Sequence, residues 1–300
     1  MIQVAPEIEA ALREGRPVVA LETTLVAHGF SGPTEGAEVG LESERRIRAA
    51  GAVPATIGVI GGAIRVGLGE AELERLGAAG DDARKLGPRD LAACVAQGAL
   101  GATTVGGTLA VCARAGIRFM STGGLGGVHR GFPDPPDVSA DLGELTRCAV
   151  LIVSSGVKSI LDVPSTAEAL ETLGIPVLGW RTHTLPLFYV AEGGPPVAAR
   201  VETADEAARI ARVHWHDLGR RTAVVLGRPP VDGVAGIEPL VDEAVAAARR
   251  QGVSGQAVTP FVLSFLHERS GGRTTKINRE LIADNAALAA EVATAWRDAR

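Results

Sequence analysis

The 300-residue chain is poor in cysteine, methionine and aromatic residues: three cysteines, two methionines, one tyrosine and 3% aromatics in all. Cys94, Cys112 and Cys148 are odd in number and contain no CxxC pair, which argues against a disulfide framework or a cysteine-based zinc site. Basic charge is also in deficit. Thirty Lys and Arg against 35 Asp and Glu leave a net charge of −5, the wrong balance for a general nucleic-acid binder with a basic face. No apolar run approaches the ~18 residues of a membrane span. Glu7 and Glu9 interrupt the apolar start that a signal peptide would need, so a cytoplasmic protein without membrane association is expected. Neither a G-x-G-x-x-G spacing nor a Walker sequence is present, and there is no internal repeat or low-complexity linker.

Glycine, by contrast, is abundant, with 38 residues. At this level it marks tight strand-to-helix turns and places where backbone approaches another group closely. Apolar runs predict buried strands at Pro17–Leu21, Val53–Ile60, Ile117–Met120, Val150–Val153, Pro176–Gly179 and Ala223–Leu226. Helical periodicity lies between and after them, at Glu35–Ala50, Glu70–Ala78, Arg89–Gly98, Leu109–Ala115, Ala140–Cys148, Thr166–Leu173, Ala204–Asp217, Ile237–Gln251, Pro260–Arg269 and Arg279–Ala299. Pro88 suits a first helical position, and Ser165 with Glu168 reads as a capping box. Alternating strands and helices predict an α/β fold, a three-layer α/β/α arrangement with a largely parallel central sheet. Residues 1–300 read as a single domain, since neither Pro195–Pro196 nor Gly227–Gly236 is long enough to require a boundary.

The densest chemistry runs from Thr122 to Lys158: a glycine-rich turn TGGLGGVHRG, the segment DVSAD at Asp137–Asp141, an apolar run, then SSGVKS. Ligands in such folds collect beyond the carboxyl ends of strands, and Glu22, Thr122–Gly127 and Ser154–Lys158 all follow predicted strands directly. Lys85 stands in a short turn before a predicted helix. A lysine at the end of a buried strand is desolvated in its charged form, so its amine becomes a nucleophile for carbonyl carbon. Each residue alone has a plainer reading. Lys158 reads as a surface lysine, Glu22 as a cap or ion-pair partner, and His129 as a turn residue. Asp137 and Asp141, four apart, read as one helix cap and one solvated carboxylate, or as hard oxygen ligands for Mg²⁺ or Mn²⁺. His214 and His216 lie two apart on a helix and cannot share a face. Ser155-Gly-Val-Lys158 matches S-x-x-K, but the companion S-D-N and K-T-G elements are absent.

Together, ALETTLVAHG, GAVPATIGVIGG, KLGPRDL, GATTV, STGGLGGVHRG, DVSADL, SSGVKSILD, LETLGIPVLGW and VTPFVLSFL resemble, in order and spacing, the pseudouridine-5′-phosphate glycosidases from about Pro17 to Ala295. The resemblance implies reversible conversion of pseudouridine 5′-phosphate and water into uracil and ribose 5-phosphate, with a divalent metal, typically Mn²⁺, in a homotrimer. It implies Lys158 as covalent nucleophile, Glu22 as proton donor to the base, and Lys85 as a substrate contact that assists proton transfer. Asp137 matches the metal ligand. Val105, His129, Ser139, Ala140 and Asp141 match substrate-binding positions, and Asn278 an asparagine expected to read the uracil amide edge. Several loops depart from the family pattern: GFSGPTE places Glu35 where asparagine is usual, Gly87 replaces a serine, Gly227 an asparagine, and Asp284 the first asparagine of an NNA motif. GATTVGGT stands for GATTVAST, and TTKIN for SL-x-x-N. Such changes fit drift, or a related C-glycosynthase joining ribose 5-phosphate to a different aromatic or heterocyclic aglycone. A non-catalytic sugar-phosphate binder is disfavoured because Glu22, Lys85, Asp137 and Lys158 are all present.

Overall fold

A computed structural model describes residues 2–298 except Ser31, Pro33, Pro135, Ala235 and Ser254. Its strands are β1 (Ile2–Val4), β2 (Val18–Leu21), β3 (Val53–Ile60), β4 (Ala63–Val66), β5 (Arg84–Leu86), β6 (Gly101–Thr103), β7 (Phe119–Ser121), β8 (Leu151–Ser154), β9 (Val177–Trp180), β10 (Ala199–Val201) and β11 (Val224–Gly227). They form one sheet in the order β1-β4-β3-β2-β7-β8-β11-β9-β10, with β6 pairing to β3 and β5 to β6. All pairings are parallel except β3 with β4 and β3 with β6.

The central strands are apolar throughout because both faces are covered. Val18, Ala20, Met120, Ile152 and Val225 pack on one side with residues of helices Pro6–Arg13, Val105–Ala115 and Glu238–Arg250. Val19, Leu21, Phe119, Leu151, Val153 and Leu226 face the other way, against helices Glu35–Ala49, Ala204–Arg212 and Arg273–Asp298. This alternation along each strand is what two covering helical layers require. The expected α/β/α arrangement is therefore present. Among the described residues no helix is long and apolar enough to cross a membrane.

The six expected strands all form, with ends shifted by up to two residues. Five further strands, β1, β4, β5, β6 and β10, are only three or four residues long and carry too few apolar residues to stand out as runs. Lys85 is consequently a strand residue rather than a turn residue. Helices Pro6–Arg13 and Thr24–His28 also went unexpected. The helix expected from Leu109 begins four residues earlier at Val105, capped by Thr104, whose side chain accepts from the Gly107 N–H. Gly106 and Gly107 disguise that first turn. A Cβ on Gly107 would lie 2.3 Å from the Leu86 carbonyl oxygen, so glycine is needed where this helix crosses β5. Pro88 opens a short 3₁₀ turn at Pro88–Asp90, followed by helix Leu91–Ala96 rather than Arg89–Gly98. The expected Ser165–Glu168 capping box is replaced by Asp162, which accepts from the Ser165 N–H at 2.9 Å and starts helix Val163–Thr172. The helix expected over Ala140–Cys148 stops at Leu145, and that over Ala204–Asp217 widens into a π turn at Val213–Asp217. The last helix begins at Arg273, six residues before the expected start, and the expected end at Ala299 lies outside the described residues.

The branching of β3 positions the site. Its first half pairs with β2, from Val18 opposite Val53 to Leu21 opposite Thr56. Its second half leaves β2 and pairs with β6, whose other edge carries β5. Thr23 seals the junction: its backbone N–H donates to the Thr103 carbonyl, and its hydroxyl donates to the Ile57 carbonyl at 2.7 Å. Glu22 at the end of β2 and Lys85 on β5 are brought to the same side of the sheet.

Candidate active site

Glu22 is the first residue after β2 and is almost completely buried. The Thr122 hydroxyl, just after β7, donates to its carboxylate. Burial pushes the Glu22 carboxyl above the ordinary carboxylate range, against the opposing pull of the Lys158 ammonium and the Thr122 hydrogen bond.

Lys158 lies on the loop after β8, and three backbone bonds fasten that loop to the glycine-rich loop after β7. Ser155 N–H donates to Gly123 O, Leu125 N–H to Gly156 O, and Lys158 N–H to Leu125 O, at 2.9–3.1 Å. A Cβ on Gly124 would stand 2.6 Å from the Phe188 ring and 3.4 Å from Lys158 Cγ, so the glycine leaves room for both side chains. Asn285 braces the pair of loops, donating from Nδ2 to the Thr122 carbonyl at 2.9 Å and to Ser155 Oγ at 3.1 Å. Ser155 is thus held in an amide pair, a structural role that agrees with rejecting the S-x-x-K match. Arg130 adds a clamp from outside, donating to the Ser159 and Leu161 carbonyls at 2.8 and 3.2 Å.

Lys85 approaches from β5. Burial, reinforced by the Lys158 charge, lowers its pKa to about 8, while Glu22 and Asp141 oppose the shift. Lys85 and Lys158 form part of the wall of two adjoining chambers. The inner one, ≈60 Å³, is lined by Glu22, His28, Thr122, Gly124, Phe188 and Asn278. The outer one, ≈340 Å³, is lined by Arg89, Thr104, His129, Asp137, Ser139, Ala140 and Asp141.

The DVSAD segment divides its labour. Ser139 caps helix Ala140–Leu145, its hydroxyl accepting from the Asp141 N–H at 3.2 Å. Asp141 is buried and accepts from Gly106 N–H at 2.7 Å and Gly126 N–H at 3.0 Å. Neither a solvated carboxylate nor an uncommitted ligand, it ties the start of helix Val105–Ala115 to the glycine-rich loop. Asp137 is half-buried. Its Oδ2 lies 3.7 Å from His129 Nδ1, and the His129 N–H donates to its carbonyl. Burial lowers the His129 pKa, with Lys158 and Lys85 adding to the effect and Asp137 opposing it. Among the described residues no three His, Cys, Asp or Glu side chains gather as a metal-binding group. The Asp137 carboxylate is a hard oxygen donor in the outer chamber, of the kind that holds a cation whose shell is completed largely by water.

Val105 is the one expected substrate contact whose side chain points elsewhere, into the core at 1% exposure; Thr104 lines the chamber in its place. Asn278 lines the inner chamber, its Oδ1 buried without a hydrogen-bond partner. His214 bonds the Thr222 hydroxyl and His216 stacks on Trp296, so neither enters the site. Sequence reading missed Phe188, Thr104 and the bracing role of Asn285. Phe188 carried no signal at all, since it reaches the site from a loop at positive φ.

Residues 7–295 match the family model described as Indigoidine synthase A like protein. The chain is 47% identical to the pseudouridine-5′-phosphate glycosidase of Chloroflexus aurantiacus over 98% of both chains. It is 43% identical to the Escherichia coli enzyme of that name, over 99% of this chain and 96% of the relative. Among solved structures, the prealnumycin C-glycosynthase in complex with ribulose 5-phosphate superposes with a TM-score of 0.90 at 40% identity, covering 100% of this chain and 98% of the other. An indigoidine synthase A-like protein from Thermotoga maritima gives 0.88 at 36% identity, covering 99% and 97%.

Asp141→Ala should remove two charge-assisted bonds at once and leave two buried N–H groups unpartnered, a loss of about 3–5 kcal/mol. Denaturant unfolding checks this, and a stability within about 1 kcal/mol of the parent would contradict the tie.

Proposed function

Because the chain belongs to the pseudouridine-5′-phosphate glycosidase family, described by its family model as indigoidine synthase A-like, we propose that it cleaves pseudouridine 5′-phosphate reversibly to uracil and ribose 5-phosphate through covalent attachment of the sugar to Lys158. The observation that carries the reading is the meeting of Lys158 and Lys85 on a wall shared by two chambers, beside a buried carboxyl raised above its ordinary range.

The chemistry suits these groups. A carbon–carbon glycosidic bond has no basic exocyclic oxygen to protonate, so the paired-carboxylate route of ordinary glycosidases does not apply. In the cleavage direction the Lys158 amine bonds to C1 of the ribose as the ring oxygen leaves with a proton. Glu22, whose burial favours the protonated carboxyl, delivers a proton to C5 of the uracil. The C1–C5 bond then breaks, its electron pair restoring the uracil ring, while the lysine nitrogen lone pair closes a C1=N iminium. Water hydrolyses the iminium, releasing ribose 5-phosphate and the free amine. Lys85, with a pKa of about 8, is poised to exchange protons with the attacking amine near neutral pH. The outer chamber, with Arg89, Ser139 and Ala140 in its wall, suits the phosphate end of the sugar. A divalent ion such as Mn²⁺ would be held at Asp137 and would supply charge stabilisation there. Homotrimeric assembly, a cytoplasmic setting and action as one domain belong to the same proposal.

A second reading, synthesis of a C–C bond to another aglycone, is favoured by the likeness to the prealnumycin C-glycosynthase. The departures at Glu35, Gly227 and Asp284 do not add to it. Asp284 pairs with Arg228 at 2.9 Å, joining the last helix to the altered loop after β11, and of Glu35, Gly87, Gly227 and Asp284 only Gly87 lines either catalytic chamber, the outer one.

Borohydride reduction in the presence of ribose 5-phosphate should leave a sugar-phosphate adduct on Lys158, and Lys158→Ala should abolish both adduct and turnover. A mass spectrum without the adduct would overturn the covalent route. Glu22→Gln should lower kcat about 10²–10⁴-fold. With its folded pKa raised, Glu22 contributes fully to stability below the ordinary carboxylate range, and that contribution is lost as pH rises through the folded value. The non-ionising glutamine variant should accordingly gain in melting temperature relative to the parent as the pH increases, and parent-like turnover would refute the acid assignment. For Asp137→Ala, Mn²⁺ binding followed by the ion's own paramagnetic signal should weaken at least ~10-fold; an unchanged titration would exclude the residue as ligand.

A further inference from the structure

His28 closes the short helix Thr24–His28, which begins two residues after Glu22. It lines the inner chamber with Glu22 and Asn278, and it also lines an adjoining ≈330 Å³ cavity that again includes Asn278. Among the described residues, two buried side-chain atoms at this junction have no hydrogen-bond partner: His28 Nε2 and Asn278 Oδ1. Such atoms carry a substantial free-energy cost unless something bonds them in the working state. The His28 ring is bonded to the backbone of Ala83 in a way that favours its N–H, and with Nε2 unpartnered that bond falls to Nδ1. Burial and the nearby Lys85 charge lower the pKa of the ring and so favour its neutral form. A neutral imidazole that donates from Nδ1 presents Nε2 as an acceptor. The junction therefore offers two acceptors beside the buried acid that protonates the base.

We propose that His28 is a specificity-determining residue, its Nε2 accepting a hydrogen bond from a ring N–H of the aglycone while Asn278 Oδ1 accepts from a second. The proposal rests on the C-glycosidase reading and deepens it. A uracil joined through carbon keeps both of its ring N–H groups, whereas one joined through nitrogen has lost one of them. Two acceptors thus match a C-linked pyrimidinedione and disfavour a carbocyclic aromatic aglycone that offers no ring N–H.

The test compares kcat/KM for pseudouridine 5′-phosphate with that for its N1-methyl and N3-methyl analogues, in the parent enzyme, His28→Phe and His28→Gln. The parent should disfavour both analogues by at least ~100-fold. His28→Phe should lower kcat/KM for the natural compound ~10–100-fold and narrow the gap for one analogue, while still trapping ribose 5-phosphate on Lys158 under borohydride. His28→Gln, which keeps an acceptor, should recover part of the loss. Parent enzyme that accepts both analogues freely, or a His28→Phe gap that is unchanged for both, would overturn the inference alone. Parent enzyme that forms no Lys158 adduct would overturn the underlying reading, and the inference with it.

Discussion

Holding one buried carboxyl and two half-buried amines in the same pocket is the constraint around which the rest of this molecule is arranged. Glu22, Lys85 and Lys158 are brought together from β2, β5 and the loop after β8. Isolated, each buried charge would be costly; here the carboxylate offsets the desolvation of the lysines while the two lysine charges repel, and the balance leaves the Glu22 carboxyl raised and the Lys85 amine lowered to about 8. A raised carboxyl and a lowered second lysine place a proton donor and a proton acceptor beside Lys158, as covalent amine catalysis requires.

Rigidity is supplied by groups that do no chemistry. The two loops after β7 and β8 are fastened backbone to backbone and braced by Asn285. Asp141 pins the start of helix Val105–Ala115 to the same glycine-rich loop. Glycine abundance has its explanation here: Gly107 and Gly124 stand where a methyl group would collide with the Leu86 carbonyl or the Phe188 ring. The glycine-rich loop consequently serves close packing, and at least the Gly126 N–H is engaged by protein rather than open to phosphate.

Much of this was legible before any coordinates. The central strands are buried on both faces, so they read as unbroken apolar runs, and the residues after them could be placed at strand ends without a structure. Lys85 was harder, because β5 is three residues long and owes its existence to pairing with β6, itself attached to a strand that changes partners halfway. Val105 illustrates a different limit. The resemblance implied it as a substrate contact, but which way a side chain turns is decided by core packing, and Thr104 faces the chamber instead. Phe188 and the Asp284–Arg228 pair depend on contacts between elements distant in sequence, which no local pattern encodes. That ion pair also recasts two of the sequence departures as a mutual adjustment outside the catalytic chambers.

The central claim is that these three groups break a bond between ribose and a carbon of uracil. Uracil release from pseudouridine 5′-phosphate in the presence of Mn²⁺ measures this directly. Turnover at ordinary enzyme rates, about 1–10³ s⁻¹, is the predicted result. Trapping of ribose 5-phosphate on Lys158 with uracil neither released nor taken up would contradict it, and would assign the same machinery to a different aglycone.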